Sequence, residues 1–484
     1  MKYDYDVVAL GLGPAGMAVT IMGAAMGLKV CGIEPDKLGG ECLNVGCIPS
    51  KALLKAAKLR HAHTQLAEMG LGETPAPEVR APLRRVREVV DHINTAKTRA
   101  MFEKVDLVHG EGPARFVDPH TVAVGDGADA AAGRTDAAGG RTITAKKIFI
   151  CTGTVPAVPP IPGLDAVDVL TNQNLFELDE PPATMTVIGG GAIGCEMAQA
   201  FARLGTKVAV IHMDPHLLPA GPPEAGTLLQ KHLEHEGIEV HNGARITAVE
   251  KDGATVVVRA TNGGPIELRA DRLLVAAGRR PNVEGLTLEN AGIAYTKKGI
   301  WVDKYLRTTR KHVFAPGDCN GHFLLTHAAM HQGMIALMNA MLPWPFRRDF
   351  RTYVVPWAVF TEPEVARVGV EEAELRRKGV RYEVVRTEYE NYGKTLAEGV
   401  PVGFVEVLAS PGGRIYGATI VGEAAGEMIH EFALAMQAKK KLWHIMMLQH
   451  AFPTFSFMNK RIGEQWMMGK MKSKFLRWMA RRMF

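Results

Sequence analysis

The sequence predicts an α/β fold in which two similar strand–turn–helix–strand units precede a C-terminal α+β region. The two units start at VVALGLGPAG (7–16) and MTVIGGGAIG (185–194), and each continues through a helical stretch into a second apolar strand. The alternating pattern of VRYEVVRTEYE (380–390) is typical of an antiparallel sheet. The chain has 484 residues, of which 47% are hydrophobic. That length suits about two to four domains with buried cores.

Each unit has three glycines in the turn between its first strand and its helix. The first glycine of such a turn permits a tight bend, the second lets the backbone approach a pyrophosphate, and the third lets the helix pack on the strand. The phosphates then lie at the helix N-terminus, where free N–H groups favour negative charge. The sequence therefore predicts two Rossmann-like dinucleotide sites. Their glycines are Gly11, Gly13 and Gly16 in the first unit and Gly189, Gly191 and Gly194 in the second.

The residue that ends the second strand differs between the two units. Glu34 stands eighteen residues after Gly16, where a carboxylate can accept hydrogen bonds from ribose hydroxyls. His212 has the same offset from Gly194. A histidine is neither the acid typical of NAD sites nor the arginine typical of NADP sites. His212 is therefore either part of the second nucleotide site or a surface residue at a strand end.

The charge and the cysteine content argue against several classes of protein. The formal net charge is +6, but residues 464–484 hold six lysines and arginines against one glutamate, so the rest of the chain is nearly neutral. This distribution does not support a nucleic-acid partner. The chain starts without an apolar leader, and its six cysteines lack the dense spacing of a secreted disulfide framework. We therefore expect a cytoplasmic protein.

Two stretches interrupt the regular pattern. Residues 125–141 are rich in glycine and alanine, and they predict a flexible hairpin excursion. Residues 343–356 carry three prolines and predict a linker to the C-terminal region.

Cys42 and Cys47 lie close together in GGECLNVGCIPSK (39–51). A zinc site would need two further ligands, and no second close cysteine or histidine pair supplies them. Two buried thiols could also be neighbours by chance. A redox-active disulfide is the leading interpretation, because a helix begins near Ile48 and its dipole stabilises a thiolate at its start.

GGECLNVGCIPSK resembles the signature of the class I pyridine nucleotide-disulfide oxidoreductases, the family of dihydrolipoamide dehydrogenase, glutathione reductase and mercuric reductase. The resemblance extends over nearly the whole chain. Its other motifs are CTGTVPAVPPIPG (151–163), VAAGRRPN (275–282), VFAPGDC (313–319), LTHAAMHQG (325–333), VFTEPEVARVG (359–369) and GEAAGEMIHEFALAM (422–436).

The resemblance implies a homodimer with FAD in the first unit and NAD(P)H in the second. It predicts an FAD-binding domain at residues 1–160 and 275–345, an NAD(P)-binding domain at 161–274, a dimerisation domain at 346–463 and a basic tail at 464–484.

The resemblance also implies roles for single residues. Cys47 faces the flavin, Cys42 is the thiol that exchanges with substrate, and Lys51 and Glu196 form an ion pair beside the flavin. Asp318 holds the ribityl chain of the flavin. The remaining cofactor-binding residues implied in this way are Gly153, Gly278, Thr326 and His327.

The sequence departs from the family pattern near its C-terminus. Dihydrolipoamide dehydrogenases have a run like HxHPTxxE, which reaches the partner's disulfide across the dimer interface, but this chain has HAFPTFSF (450–457). Phe452 and Phe457 thus replace the general base and the carboxylate that orients it. Such a base accelerates proton transfer by roughly 10²- to 10⁴-fold, so we expect inefficient turnover of lipoamide or glutathione disulfide. His450 matches a family histidine that is not the base.

A second departure lies at the nicotinamide site, where Ala192 replaces a tyrosine that commonly covers the site in relatives.

Residues 464–484 alternate apolar and basic residues at helical spacing. A basic amphipathic helix with tryptophans fits a membrane interface, and a helix packed on the dimer or on a partner protein is the alternative.

The leading functional hypothesis is an oxidoreductase that passes electrons from NAD(P)H through FAD to Cys42 and Cys47, and then to a small or protein-borne disulfide. The first alternative is an NAD(P)H-dependent quinone or metal-ion reductase at the membrane surface. The second is an electron-transfer or scaffold subunit of a larger complex.

Overall fold

The computed structural model describes residues 2–125 and 141–483. The predicted excursion at 125–141 therefore lies, apart from its two end residues, outside the described residues. The predicted α/β architecture is confirmed. Within the described part of the chain, no helix is both long and apolar enough to cross a membrane.

The first α/β unit is built on a sheet with the order β3-β2-β1-β6-β5-β4, parallel from β3 to β6 and antiparallel from there to β4. Its elements are β1 (Tyr5–Leu10), α1 (Pro14–Ala25), β2 (Val30–Glu34), α2 (Gly40–Asn44), α3 (Cys47–His61), α4 (Pro82–Ile93), β3 (Asp106–His109), β4 (Ala114–Asp118), β5 (Thr121–Val124), β6 (Arg141–Ile150) and β7 (Thr154–Pro156).

The second unit has a parallel sheet of order β11-β10-β9-β15-β8 and a small antiparallel sheet of order β12-β13-β14. Its elements are β8 (Val169–Leu170), β9 (Thr184–Ile188), α5 (Ala192–Arg203), β10 (Lys207–Ile211), α6 (Pro223–His235), β11 (Glu239–His241), β12 (Arg245–Asp252), β13 (Thr255–Thr261), β14 (Pro265–Ala270) and β15 (Arg272–Val275).

After β15 the chain returns to the first unit. The returning elements are β16 (Arg279–Pro281), β17 (Tyr295–Thr296), β18 (Gly299–Ile300), β19 (Val313–Phe314) and α7 (Thr326–Met341). Strand β16 pairs with β7, and β19 adds to the first sheet beside β6. Helix α7 packs closely on α1 at Gly333. A Cβ at this position would lie 2.4 Å from the carbonyl oxygen of Ala15, so the close approach requires glycine.

The C-terminal region forms an antiparallel sheet of order β20-β21-β24-β23-β22, as the alternating pattern predicted. Its elements are β20 (Trp357–Val359), β21 (Val365–Gly369), α8 (Glu372–Arg377), β22 (Glu383–Glu388), α9 (Gly393–Ala397), β23 (Phe404–Ala409), β24 (Ile415–Val421), α10 (Ala425–Gln437), α11 (Leu442–Met447), α12 (Phe457–Met471) and α13 (Lys474–Met483).

The third glycine of each turn packs helix on strand. A Cβ at Gly16 would lie 1.9 Å from the carbonyl oxygen of Gly11, and a Cβ at Gly194 would lie 1.9 Å from that of Gly189. Both distances are far below van der Waals contact, so only glycine allows α1 and α5 to start this close to their strands.

The predicted tail does not begin at residue 464 in the structure, because α12 continues to Met471 on the body of the C-terminal domain. Trp466 is buried in that domain's core and packs on Gly413. The Nζ atom of Lys470 lies 2.6 Å from the carboxylate of Glu383. Residues 464–471 are therefore part of the domain, and only the chain after α12 projects from it.

Candidate functional site

A cavity of about 1070 Å³ connects the first glycine turn with the start of α3. Its walls come from the first unit, the start of α5, the start of α7 and the C-terminal region. The predicted residues that line it are Gly11, Gly13, Glu34, Cys42, Cys47, Lys51, Gly153, Glu196, Asp318, Thr326 and His327.

Six predicted residues do not line this cavity within the described structure, namely Gly16, Gly189, Gly191, Gly194, His212 and Gly278. Gly278 shapes the connection between the two units instead. It has a φ of +119°, and its carbonyl oxygen accepts a hydrogen bond from the N–H of Ala157 at 2.9 Å.

Glu34 is buried at the end of β2. Its carboxylate accepts hydrogen bonds from the backbone N–H of Leu12 at 2.8 Å and of Asp36 at 3.2 Å. Burial raises the pKa of Glu34, and the two N–H groups oppose this effect. At this strand end the carboxylate would be able to accept a hydrogen bond from a ribose hydroxyl of a dinucleotide.

Cys42 and Cys47 are adjacent free thiols, Cys42 in α2 and Cys47 at the first position of α3. The Sγ atom of Cys47 lies 3.2 Å from Oγ1 of Thr326. The hydrogen bond from Cys42 lowers the pKa of Cys47, as do Thr326 and Lys51, whereas burial opposes them. The pKa of Cys42 is raised by the same hydrogen bond and by burial. The arrangement therefore favours a thiolate at Cys47.

Lys51 and Glu196 form the predicted ion pair, with 2.8 Å between Nζ and Oε2. The other oxygen of Glu196, Oε1, accepts the backbone N–H of Phe360 at 3.0 Å. Both oxygens of this buried carboxylate are thus engaged. Lys51 stands one helical turn after Cys47, so its charge acts directly on the thiol.

Asp318 is a half-buried carboxyl group in the cavity. Burial raises the pKa of Asp318 to about 6, and the nearby guanidinium of Arg279 opposes that rise. Arg279 also lines the cavity, donates to Thr154 Oγ1 at 2.7 Å and pairs with Glu41. The sequence reasoning missed Arg279, although it belongs to VAAGRRPN, because the motif does not distinguish it from its exposed neighbour Arg280.

The N-terminus of α7 opens into the cavity. Its N-cap residue, Leu325, provides no side-chain hydrogen bond, and Leu325, Thr326 and His327 all line the cavity. His327 Nε2 donates to the carbonyl oxygen of Pro356 at 2.7 Å. The first turn of this 16-residue helix therefore offers N–H groups and a positive dipole end to a ligand.

The cavity fits the predicted FAD. Gly13 and Gly40 form a narrow cradle, since a Cβ at Gly40 would lie 2.7 Å from the Cα of Gly13. The glycine turn suits a pyrophosphate, Glu34 a ribose, Asp318 a polyhydroxyl chain and the α7 N-terminus the polar edge of a ring.

His212 is not a surface residue, because its side chain is only 4% exposed. Its ring packs against the second glycine turn, where a Cβ at Gly190 would lie 2.7 Å from the ring. Nε2 donates to Oδ1 of Asn242 at 2.6 Å, and Nδ1 lies 3.8 Å from Oδ2 of Asp214. His212 therefore packs against the backbone of the second glycine turn. The acidic residue beside it is Asp214, whose side chain is 47% exposed.

The residues of HAFPTFSF lie outside the cavity among the described lining residues. Phe452 is 72% exposed, and its ring meets that of Phe457 at 5.3 Å. His450 is engaged at both nitrogens, Nε2 at 3.0 Å from Glu431 and Nδ1 at 3.3 Å from the carbonyl oxygen of Leu448. Both nitrogens of His450 thus face oxygen atoms of its own domain.

The fold and the site define a flavin-type disulfide oxidoreductase. The comparison with known families agrees: residues 5–333 match the family described as pyridine nucleotide-disulphide oxidoreductase, and residues 355–461 match its dimerisation domain. The chain therefore belongs to this family, whose members use FAD and NAD(P)H. The dimerisation domain indicates a homodimer.

Several relatives are similar over almost the whole chain. A dihydrolipoyl dehydrogenase from Thermus scotoductus is 36% identical and covers 93% of this chain and 95% of its own. A mercuric reductase from Bacillus cereus is 32% identical, and the match covers 90% of this chain and 67% of the reductase. The structure of the HOCl-induced flavoprotein disulfide reductase RclA from Escherichia coli superposes with a TM-score of 0.82 at 26% identity. The superposition covers 96% of this chain and 99% of the RclA chain. These similarities support the predicted FAD-dependent NAD(P)H disulfide oxidoreductase and do not favour the quinone, metal-ion or scaffold alternatives.

Proposed function

We propose that Cys42 and Cys47 are the redox-active pair and that the protein reduces a disulfide-type acceptor, small or protein-borne. The observation that carries this proposal is that both thiols, Lys51 and Glu196 line one cavity with the first glycine turn. Bound FAD supplies the two-electron connection between NAD(P)H and the disulfide. The protein's own residues supply the thiol chemistry and the charges around it.

In the reduced protein, Cys42 attacks one sulfur of the acceptor disulfide and the other acceptor sulfur leaves as a thiolate. Cys47 then attacks Cys42 in the mixed disulfide, which releases the second acceptor thiol and leaves the Cys42–Cys47 disulfide. The proton of the Cys42 thiol and one proton from solvent go to the two acceptor sulfurs, because Cys47 is already a thiolate. Lys51 and Thr326 stabilise the Cys47 thiolate before its attack.

The acceptor is handled without the histidine and carboxylate that the family run HxHPTxxE would provide. Phe452 and Phe457 cannot move a proton, and His450 is engaged at both nitrogens. This arrangement supports an acceptor whose departing thiols already have a low pKa, because such thiols leave without an external acid.

Anaerobic titration with NADH and with NADPH tests the redox pair. Flavin and disulfide each accept two electrons, so the oxidised protein should consume about two equivalents of nicotinamide per FAD. A protein with both Cys42→Ser and Cys47→Ser should consume about one. Cys195→Ser is the matched control, because Cys195 is a buried thiol in the second unit, and it should leave the stoichiometry unchanged. One equivalent in the unaltered protein would contradict the proposal.

We also propose that the protein is cytoplasmic and that the chain after α12 holds it reversibly on anionic membranes. Trp478, Met479 and Met483 are exposed on α13, and Met468 and Met471 are exposed at the end of α12. In the sequence, the basic residues after Lys470 are Lys472, Lys474, Arg477, Arg481 and Arg482. Lys470 is excluded from that set, because it pairs with Glu383. Apolar insertion combined with basic residues is the usual design of an interfacial helix.

A further inference from the structure

Phe360 stands where the three domains of the chain meet. It follows β20 in the dimerisation domain, Lys51 belongs to α3 in the first unit and Glu196 to α5 in the second. The Nζ atom of Lys51 lies 4.4 Å from the centre of the Phe360 ring and 2.8 Å from Glu196 Oε2. The ammonium group is therefore held between a carboxylate and an aromatic face.

The backbone around Phe360 is fixed independently of its ring. Its N–H donates to Glu196 Oε1 at 3.0 Å. Two residues further on, the buried Gln199 of α5 accepts the N–H of Glu362 at 2.8 Å and donates to its carbonyl oxygen at 2.7 Å. Hydrogen bonds from α5 thus hold this segment of the dimerisation domain in place, with the Phe360 ring facing Lys51.

The ring of Phe360 is 41% exposed and lines the cavity. Much of the apolar surface of this ring stays in contact with the open cavity. Burial of the ring therefore does not by itself explain why it faces Lys51. A ring face within about 6 Å of a cation attracts it electrostatically, and the attraction grows when water is excluded. Phe360 restrains a cation that would otherwise sample the open cavity.

We propose that Phe360 is a positioning residue that keeps the Lys51 ammonium close to Cys47, so that the dimerisation domain contributes to the charge around the redox-active thiol. This inference rests on the proposed role of Cys42 and Cys47. The ionisable groups that face Cys47 are Cys42 from α2, Lys51 from α3, Glu196 from α5 and Asp318 from the turn before α7. Phe360 touches one of them, Lys51, and fixes another, Glu196, through its backbone only.

The test uses the full-length FAD-loaded protein with Cys42→Ser, in which Cys47 is the single remaining thiol of the pair. The pH midpoint of Cys47 ionisation is read twice, from the long-wavelength absorbance of the thiolate beside oxidised flavin and from the rate of alkylation by iodoacetamide. Adding Phe360→Leu should raise both midpoints by about half a pH unit, since the substitution removes only the cation–π contact. Phe360→Tyr keeps the aromatic face and should leave both midpoints unchanged.

A double-mutant cycle separates positioning from packing. With Lys51→Met already present, Phe360→Leu should have no further effect on the midpoint. The same shift in both backgrounds, or no rise with Phe360→Leu alone, would overturn the inference. If Phe360→Leu loses FAD, Phe360→Met provides a second side chain without an aromatic face. A missing absorbance band in the protein with intact Phe360 would count against the proposed redox pair, and the alkylation readout would still decide the role of Phe360.

Discussion

At the scale of single residues, the environment of Cys47 combines a helix start, a neighbouring thiol and a lysine. All three favour the thiolate, while burial disfavours it. Because the favourable interactions outweigh burial, the pKa of Cys47 lies below that of an ordinary cysteine, which is about 8.5. A larger fraction of Cys47 is therefore thiolate at neutral pH than of an ordinary cysteine, and the charge is lost as the pH falls through the lowered pKa.

A spectroscopic prediction follows for the two thiols. In the half-reduced protein, Cys47→Ser should abolish the long-wavelength absorbance that a thiolate gives beside oxidised flavin, and Cys42→Ser should retain it. The absorbance should disappear on acidification with a midpoint below about 8.5. Absorbance that survives in Cys47→Ser would assign the flavin-facing role to Cys42 instead.

The second glycine turn allows a steric prediction. A Cβ at Gly190 would meet the buried His212 ring at 2.7 Å, whereas a Cβ at Gly191 would meet nothing within 4 Å. Gly190→Ala should therefore cost about 1–3 kcal/mol of stability and weaken NAD(P)H binding, and Gly191→Ala should cost less stability. Thermal unfolding and nicotinamide titration measure the two effects. His212→Ala should relieve the stability loss of Gly190→Ala; equal losses with and without His212 would contradict this account.

At the scale of elements, α5 connects the domains through one buried face. Glu196, Gln199 and Arg203 follow each other at helical spacing and contact the segment from Phe360 to Glu362. The guanidinium of Arg203 is 5% exposed and lies 2.7 Å from Glu236 Oε1. Burial acts to raise the pKa of Glu236, but hydrogen bonds from His232 and Arg203 lower it to about 2. The stability that this pair provides is therefore fully present above about pH 4.5 and is lost as the pH falls toward 2.

Removing the arginine should be costly, because it would leave the carboxylate of Glu236, only 5% exposed, without its arginine partner. Glu362 is 22% exposed and would keep its ion pair with Lys58. Arg203→Met should lower the free energy of unfolding by about 3–5 kcal/mol near neutral pH. Arg259→Met is the matched control, since Arg259 pairs with two glutamates at a 44% exposed site. It should change stability much less than Arg203→Met, because water screens exposed ion pairs. Denaturant titration compares the variants; similar losses for both would mean that burial does not set the strength of these pairs.

The sequence predicted those features that depend on local chain geometry. The glycine turns, the thiol at the start of α3 and the antiparallel sheet each leave a periodic or spaced pattern in the sequence. Phe360, Arg279 and the buried position of His212 leave no such pattern, because each acquires its role from residues distant in sequence. The Lys51–Glu196 pair was predicted only through the family resemblance, since its members are 145 positions apart.

At the scale of the whole molecule, the C-terminal domain and the chain that follows it have different roles. The boundary predicted at residue 464 was misplaced, because amphipathic spacing does not show whether an apolar face meets lipid or protein. Trp466 packs into the domain, whereas Trp478 is 55% exposed. Truncation at Gly463 would therefore remove part of the core and would not isolate the tail. A chain that ends at Ser473 keeps α12 complete.

Sedimentation with liposomes tests the membrane proposal on the full-length protein and on the chain ending at Ser473. The full-length protein should sediment with anionic liposomes at low salt, because each basic residue near such a surface contributes on the order of 1 kcal/mol and two copies of the tail act together in a dimer. High salt should release it by screening, and neutral liposomes should bind it weakly. Arg477→Gln with Arg481→Gln and Arg482→Gln is the matched control, since it keeps the helix and its apolar residues but removes three charges. If both the full-length and the truncated chains stay in the supernatant with anionic liposomes, α13 instead contacts the dimer or a partner protein.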